Sequence, residues 1–407
     1  MKRALLFTFG GILAAYSSAA WLLRTHWREN LSREALLCRF HLCNTEAVAS
    51  EAQRQQNRGP QGLADLLVLR RALLARQPHS PYAWADLAEA LAASGDQTSA
   101  LLAIRQAEEM APHWPVILVR AANFYLNLGR AQEALARSAR VLSLTDAYDR
   151  YVFSLYLAVP GGLPQVLASG LPGDPRPARA FLLFLIQSSR AEEAAKLWEW
   201  IEERQWANDE LVNRYAGFLL AQGQPAAAQH VWSRQYQARS GGYGKTHFVF
   251  NGGFEDEFTG GPFDWSIRPS EGVQIARDSS ERFEGKWSLR LDFLKTQNVT
   301  RAGASQTLVV PPGAYRFQAW LRSEKLTTDQ GVFVRLRPRS ADSGTEAQTP
   351  ALLGSNEWRS AVAEIRVRGP QPAVYELEVA RNPSLKFDRL LGGSLWIDAV
   401  ELQPAGP

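Results

Sequence analysis

The feature that most constrains what this chain can fold into is a register of 34 residues. Pro78 and Pro112 are 34 apart, as are Gly95 and Gly129, and Ala100 and Ala134. Each class has a physical reason. Proline ends a helix, glycine supplies the turn between two helices, and a small residue five positions after the glycine lets paired helices approach closely. From about Leu31 to Gln237 apolar residues recur at three- and four-residue spacings, broken by SGD, NLGR and AQGQP. That spacing predicts a series of helical hairpins. A hairpin of this kind cannot bury its apolar face alone, so the units must stack.

The residues at these positions resemble the tetratricopeptide repeat family. Residues 81 to 114, PYAWADLAEALAASGDQTSALLAIRQAEEMAPHW, place Trp84, Leu87, Ala88, Leu91, Gly95, Ala100, Ala107 and Pro112 where that family places its packing residues. The unit at 115 to 148 keeps Leu118, Ala122, Tyr125, Gly129, Ala134 and Leu144. Units near 175 to 208 and 209 to 242 align through Ser189, Ala194, Gly223 and Ala228, while GGLPQVLASGLPGDPRP at 161 to 177 departs from the pattern and predicts a shortened pair. The resemblance implies an all-α solenoid over residues 31–240 whose groove binds a peptide or partner protein, here an unidentified envelope protein. The array contains no Ser-His-Asp set, HExxH, Walker loop or dinucleotide fingerprint, and His79, His113 and His230 fall at caps and helix surfaces.

After Gly241 the period changes from 3.6 to 2. In AYRFQAWLRS, Tyr315, Phe317, Ala319 and Leu321 alternate with Arg316, Gln318, Trp320 and Arg322. GVFVRLRP sets Val332, Val334 and Leu336 against Phe333, Arg335 and Arg337, and AVYELEVA sets Tyr375, Leu377 and Val379 against Glu376 and Glu378. With KWSLRLDF, SQTLVV, RSAVAEIRV and SLWIDAVEL these runs predict a two-sheet antiparallel sandwich.

The order NGGFE, Trp265, GKWSLRL, QTLVVPPGAYRFQAWLR, a late EW and GGSLWIDAVEL resembles the jelly-roll carbohydrate-binding modules of the galactose-binding-like type, over nearly all of residues 247 to 403. The resemblance implies that Asn251 to Glu255 open the first strand beside the end of the last one. It also implies a structural calcium held by the carboxylates of Glu255 and Asp398, with backbone carbonyls of Gly285 and Lys286 completing the set. Hard oxygen ligands suit that ion. The plain alternative is that both carboxylates accept backbone hydrogen bonds at strand ends.

For a sugar site the alternation predicts one outward face carrying Gln318, Trp320, Arg322, Phe333, Arg335, Arg337, Glu376 and Glu378. Aromatic rings stack on sugar C–H surfaces, and amides, guanidinium groups and carboxylates bond hydroxyls. The excess of arginine points to an acidic polysaccharide. The same face could instead dock onto the helical array, and this family also places sugar contacts in connecting loops, here around Phe263 to Trp265. Glu376 and Glu378 share a strand face, but such modules are not hydrolases by themselves, and no catalytic domain remains once the other segments are assigned.

At the amino terminus MKR precedes twenty uncharged residues, Ala4 to Leu23. As a helix they would span about 30 Å, the thickness of the hydrocarbon core. A transmembrane anchor over 1–27 is expected, with a cleaved signal peptide as the alternative, since Ser17, Ser18, Ala19 and Ala20 suit a cleavage site. Either exports the rest. The expected location is a bacterial inner membrane, single-pass, with the bulk of the chain periplasmic. There a disulfide between Cys38 and Cys43 is permitted, beside two buried thiols. A net charge of +4 from 45 basic and 41 acidic residues leaves too small an excess for nucleic-acid binding.

The expected whole is an anchor, a tetratricopeptide-like solenoid and a jelly-roll domain over 243–407. In architecture it resembles accessory proteins of bacterial exopolysaccharide systems. It would act as a tethered, non-enzymatic adaptor, or as a purely structural interaction protein whose sandwich binds no sugar.

Overall fold

Glycine's freedom to adopt positive φ sets the geometry of the helical half. The computed structural model describes residues 45–236, 242–387 and 389–405. Gly95, Gly129 and Gly223 take φ of +86°, +73° and +72°, each at the turn inside a hairpin, and Ser189 takes the same left-handed conformation at +56°. A non-glycine residue there is strained. The alanines that follow, Ala100, Ala134, Ala194 and Ala228, are all fully buried. The 34-residue register is therefore a register of close helix contacts.

The chain divides into two compact units, residues 1–206 and 207–407. In the first, the described helices pair in sequence: α1 (Thr45–Asn57) with α2 (Leu63–Arg76), α3 (Pro81–Ala93) with α4 (Gln97–Met110), and α5 (Pro115–Asn127) with α6 (Ala131–Leu144). Then come the short α7 (Asp149–Tyr156) and α8 (Gly162–Ser169), the shortened pair that the proline- and glycine-rich stretch predicts, followed by α9 (Pro175–Gln187) and α10 (Ala191–Glu203). Tyr125, Ile104, Leu135 and Phe181 fill the spaces between helices. Trp84 is only half-buried, with its indole N–H donating to the Pro78 carbonyl at 2.9 Å. Leu144, expected among the packing residues, is exposed.

The second unit begins with a further hairpin, α11 (Asp209–Ala221) and α12 (Pro225–Gln235), and continues into the sandwich. The change of periodicity after Gly241 is real, but the expected division between 240 and 243 falls inside this compact unit. The reason is an aromatic cluster. Trp232 of α12 is fully buried, with the rings of Tyr236, Phe250, Phe263 and Tyr243 at 4.6, 4.7, 5.8 and 5.9 Å. Its indole N–H donates to Asn213, whose amide donates to the Thr259 carbonyl at 3.0 Å.

Among the described residues ten strands form two five-stranded antiparallel sheets. Sheet I has the order β1 (Ser266–Ile267), β4 (Arg301–Val310), β9 (Ala373–Arg381), β6 (Val332–Pro338), β7 (Ala347–Gln348). Sheet II has the order β2 (Val273–Asp278), β3 (Ser288–Leu294), β10 (Gly392–Pro404), β5 (Gly313–Leu326), β8 (Gly354–Val367). Leu289, Leu291, Phe317, Leu321, Leu336, Tyr375, Leu377 and Ile397 meet between them, as the period of two requires. The NGGFE segment forms no regular strand but lies beside the end of β10: Phe248 N–H donates to Leu402, and Val400 N–H donates to Gly252. A side chain on Gly252 would strike the Val400 carbonyl at 2.0 Å, so only glycine allows that approach. The expected anchor at Ala4–Leu23, Cys38 and Cys43 lie outside the described residues. Among those described, no helix is long and apolar enough to cross a membrane.

Candidate functional site

Alternation along a strand tells which side chains leave the core, not which sheet carries them. The eight residues expected on one outward face are split between two. Gln318, Trp320 and Arg322 belong to β5 in sheet II, whereas Phe333, Arg335, Arg337, Glu376 and Glu378 belong to β6 and β9 in sheet I. The single face is therefore corrected to two faces on opposite sides of the sandwich. The chain crosses between sheets after β5, so consecutive strands turn their outward sides in opposite directions.

On sheet I, register pairs Arg335 with Glu378 and Arg337 with Glu376. Arg335 Nη2 lies 2.6 Å from Glu378 Oε1, Arg337 Nη2 lies 3.0 Å from Glu376 Oε2, and Arg301 Nε lies 3.4 Å from the second oxygen of Glu378. Glu378 is only 3% exposed, and Phe333 is buried as well, so neither presents itself to a ligand. The hydrogen bond that Arg337 donates to Glu376 holds its guanidinium above its already high range. Beside this ladder lies a groove of about 590 Å³ lined by Thr307, Arg337, Arg339, Glu346, Glu376 and neighbouring backbone. Its two arginines are matched by two glutamates, which removes the positive excess on which the acidic-glycan expectation rests.

Sheet II is aromatic. Trp320 stacks face to face on Phe283, with centroids 3.8 Å apart and planes 10° apart, and Trp358 lies 6.1 Å from Phe283. One face of Trp320 is therefore already occupied. Arg322 and Arg290 each sit 5.1 Å over Trp396, whose indole N–H donates to Asp278. Arg322 also faces Glu281 at 3.5 Å and Glu357 at 3.6 Å. Burial pushes the Asp278 carboxyl up, but hydrogen bonds from Ser280 and Trp396 and the charge of Arg290 outweigh it and leave it at about 2.

Glu255 and Asp398 fasten the segment that brings Phe283 over the sheet. Asp398 Oδ2 accepts the N–H groups of Phe283 and Glu284, and Glu255 Oε1 accepts those of Lys286 and Trp287. Burial, in the first place, raises the Asp398 carboxyl above its usual range. A Cβ on Gly253 would meet the Glu255 methylene Cγ at 3.8 Å and Asp398 Oδ1 at 3.9 Å, while the Glu255 carboxylate lies against Gly285, so the two side chains are neighbours of the kind calcium takes without their oxygens meeting at one point. The same oxygens are nonetheless supplied with N–H donors, which is the plain hydrogen-bond arrangement. Among the described residues no group of three or more acidic, histidine or cysteine side chains is gathered.

Phe263 and Trp265 are buried, in the α12 cluster and the core respectively, so the loop alternative finds no exposed ring there. Within the second unit the opening segment joins the sandwich to its helical hairpin through Phe250 and Phe263. Sequence reasoning missed Thr307, Arg339 and Glu346, which carry no pattern of their own. It also missed Phe283, whose only signal is an aromatic residue inside the polar stretch ERFEGK.

No family model matches the chain, and no curated protein matches it. Among solved structures it is similar to the module TmCBM61 in complex with β-1,4-galactotriose, at 22% identity over 39% of this chain and 99% of that one, with a TM-score of 0.27. It is similar also to the CBM22-1 xylan-binding domain of Paenibacillus barcinonensis Xyn10C, at 14% identity over 40% and 97%, TM-score 0.25. PilF of Pseudomonas aeruginosa is similar at 18% identity over 47% and 92%, TM-score 0.26.

Proposed function

We propose that this chain is a non-catalytic scaffold that holds a glycan on the outer face of sheet I and a protein partner on its helical repeats. The groove at Thr307, Arg337, Arg339, Glu346 and Glu376 carries the reading. Guanidinium donors and carboxylate acceptors at fixed spacing pair with sugar hydroxyls, and the matched charges favour a neutral glycan over an acidic one. The test is an array of neutral and acidic polysaccharides probed with the full-length chain. Neutral glycans should bind, and Arg337→Ala should weaken them at least tenfold while Trp320→Ala leaves them unchanged. Binding confined to acidic glycans, or indifferent to Arg337→Ala, would sink the reading.

Location and ion belong to the same proposal. Ala4 to Leu23 tether the chain to an inner membrane with the rest exported, in the service of envelope or exopolysaccharide assembly. Resistance to high-salt extraction from membranes is the expected result, and a mature amino terminus near Trp21 would reject it. A calcium ion at Glu255 and Asp398 should raise the thermal midpoint at millimolar concentration, as any ligand of the folded state must. The N–H groups already on those oxygens support the opposing outcome, no shift. A purely structural reading, in which the sandwich binds no sugar, is favoured by one observation, the Trp232 cluster that fixes it to a helical hairpin.

A further inference from the structure

We infer that the loop between β9 and β10 is a membrane-contact tip: Leu385 and Phe387 enter the interfacial layer of a lipid bilayer, while Lys386 and Arg389 meet its headgroup phosphates. This surface is separate from the groove on sheet I. The inference rests on the tethering reading only in that a bilayer lies within reach, and its test separates the two.

The loop inverts the usual order of burial. Leu385 and Phe387 are 97% and 106% exposed, and among the described residues no other large apolar side chain exceeds 63%. Their polar neighbours go inside instead, Ser384 at 2% and Arg381 at 3%. The base of the loop is fixed. Arg381 donates to the carbonyls of Gln330, Val299 and Arg389 and to the side chains of Asn298 and Thr328, at 2.9 to 3.2 Å. Its bond to Arg389 closes the loop on itself, and Ser384 Oγ donates to Asp329 at 2.6 Å. A buried polar base thus holds two apolar side chains out in water, where folding gains nothing from them. A local rule broken without gain in the fold points to binding.

The occupant follows from position, shape and charge. The loop lies at the end of the sandwich where Val332 pairs with Arg381 and Leu294 with Gly392. The helical hairpin joins at the other end, where Gln229 donates to Val309. Leu294 and Leu353, also exposed, stand at the loop's end. Lys386, 71% exposed, sits between the two apolar tips, and the exposed Arg389 follows them. The acids described at this end are already engaged, Glu324 by Lys325, Asp329 by Ser384 and Lys386, and Glu271 by Gln297. A protein interface of ordinary size takes about 800 Å² from each partner around an apolar centre, whereas charges interrupt the apolar surface here. A bilayer needs no matched shape. Apolar side chains pass below its headgroups, and the long cations beside them stay level with the phosphates. Ala4 to Leu23 give the sequence a second segment suited to lipid.

The test places the full-length chain in phosphatidylcholine nanodiscs, which occupy Ala4 to Leu23, and adds separate sucrose-loaded vesicles of phosphatidylcholine and phosphatidylglycerol at about 3:1. Sedimentation with the vesicles is read up to about 10 mM lipid, because a single myristoyl chain binds with only about 10⁴ M⁻¹ and this tip is weaker. Co-sedimentation is expected, reduced roughly tenfold by Leu385→Ser with Phe387→Ser. Phe387→Trp should retain it, since tryptophan suits the interface. The thermal midpoint should stay unchanged in the double variant. A lowered midpoint would mean that these side chains belong to the fold and would overturn the proposal, as would sedimentation that is absent or indifferent to the double variant. Self-association of the discs without vesicles, abolished by the same variant, would make the occupant a second copy and equally overturn it. Entry into the discs reads the tether separately. A chain that stays outside them refutes the tether and is mixed as it stands with the same vesicles, where the same outcomes decide the tip.

Discussion

The two outer faces of the sandwich arise from the same alternation and reach opposite chemistry. Sheet I spends its outward positions on ion pairs, with Arg335, Arg301 and Arg337 converging on Glu378. Sheet II spends them on rings, with Phe283 on Trp320 and two arginines over Trp396. The difference teaches that an arginine on a strand is informative only together with its cross-strand neighbour. Opposite a glutamate it is a structural partner, and beside a tryptophan it is a cover. Only where a groove leaves part of the pair accessible, as at Arg337 and Glu376, does the ladder reach solvent, and that is where the glycan is proposed to sit.

The largest expected effect that could break this comparison is Glu378→Ala. It removes a nearly fully buried carboxylate and strands Arg335, so the full-length chain should lose about 3 kcal/mol in the denaturation step of the second unit. A loss under about 1 kcal/mol would reduce the ladder to a solvated surface pair. Next comes Trp320→Ala on the other face, expected to cost about 1–2 kcal/mol through the lost Phe283 stack, with glycan binding in the groove untouched. Equal costs for the two variants would erase the contrast between faces.

The smallest effect is in pH. Asp278 is held at about 2 in the fold, below its ordinary value of about 4, so its contribution is complete above that value and is lost as pH falls towards 2. Asp398, raised by burial, has the opposite sign: its ionisation works against the fold as pH climbs through its raised value. Asp278→Asn should flatten the acid limb of the stability curve between about pH 4 and 2, and Asp398→Asn should flatten a limb of opposite slope above it. Slopes of one sign for both would mean that the hydrogen bonds of Ser280 and Trp396 do not hold Asp278 as described.

Much of the fold was legible because its determinants are local. Gly95 and Gly129 need positive φ, Ala100 and Ala134 need contact, and both needs repeat with the hairpin. Strand periods in β5, β6 and β9 likewise assigned inside and outside correctly. What escaped depends on long-range placement. That β5 and β6 lie in different sheets is set by where the chain crosses, and the register shift of β8 near Glu357 takes Trp358 out of simple alternation. Trp84 was expected in the core and is half-buried, since motif position fixes which helices meet and not how deep a ring sits. Nothing near Trp232 marks α12 as belonging with the sandwich, because its partners Phe250 and Phe263 become neighbours only after the opening segment folds back.

That last attachment has a mechanical meaning. Thr307, which lines the groove, and Val309, whose carbonyl accepts from Gln229 of α12, are two residues apart on β4. A strand of polymer gripped at Thr307 would pull along β4 and load the Gln229 bond and the Trp232 cluster together. Tension from a ligand in the proposed groove would thus reach the hairpin through the Gln229 bond and the packed rings. Such a joint is suited to bearing a sustained pull, and the elements that carry it are those that also make the hairpin and the sandwich one compact unit.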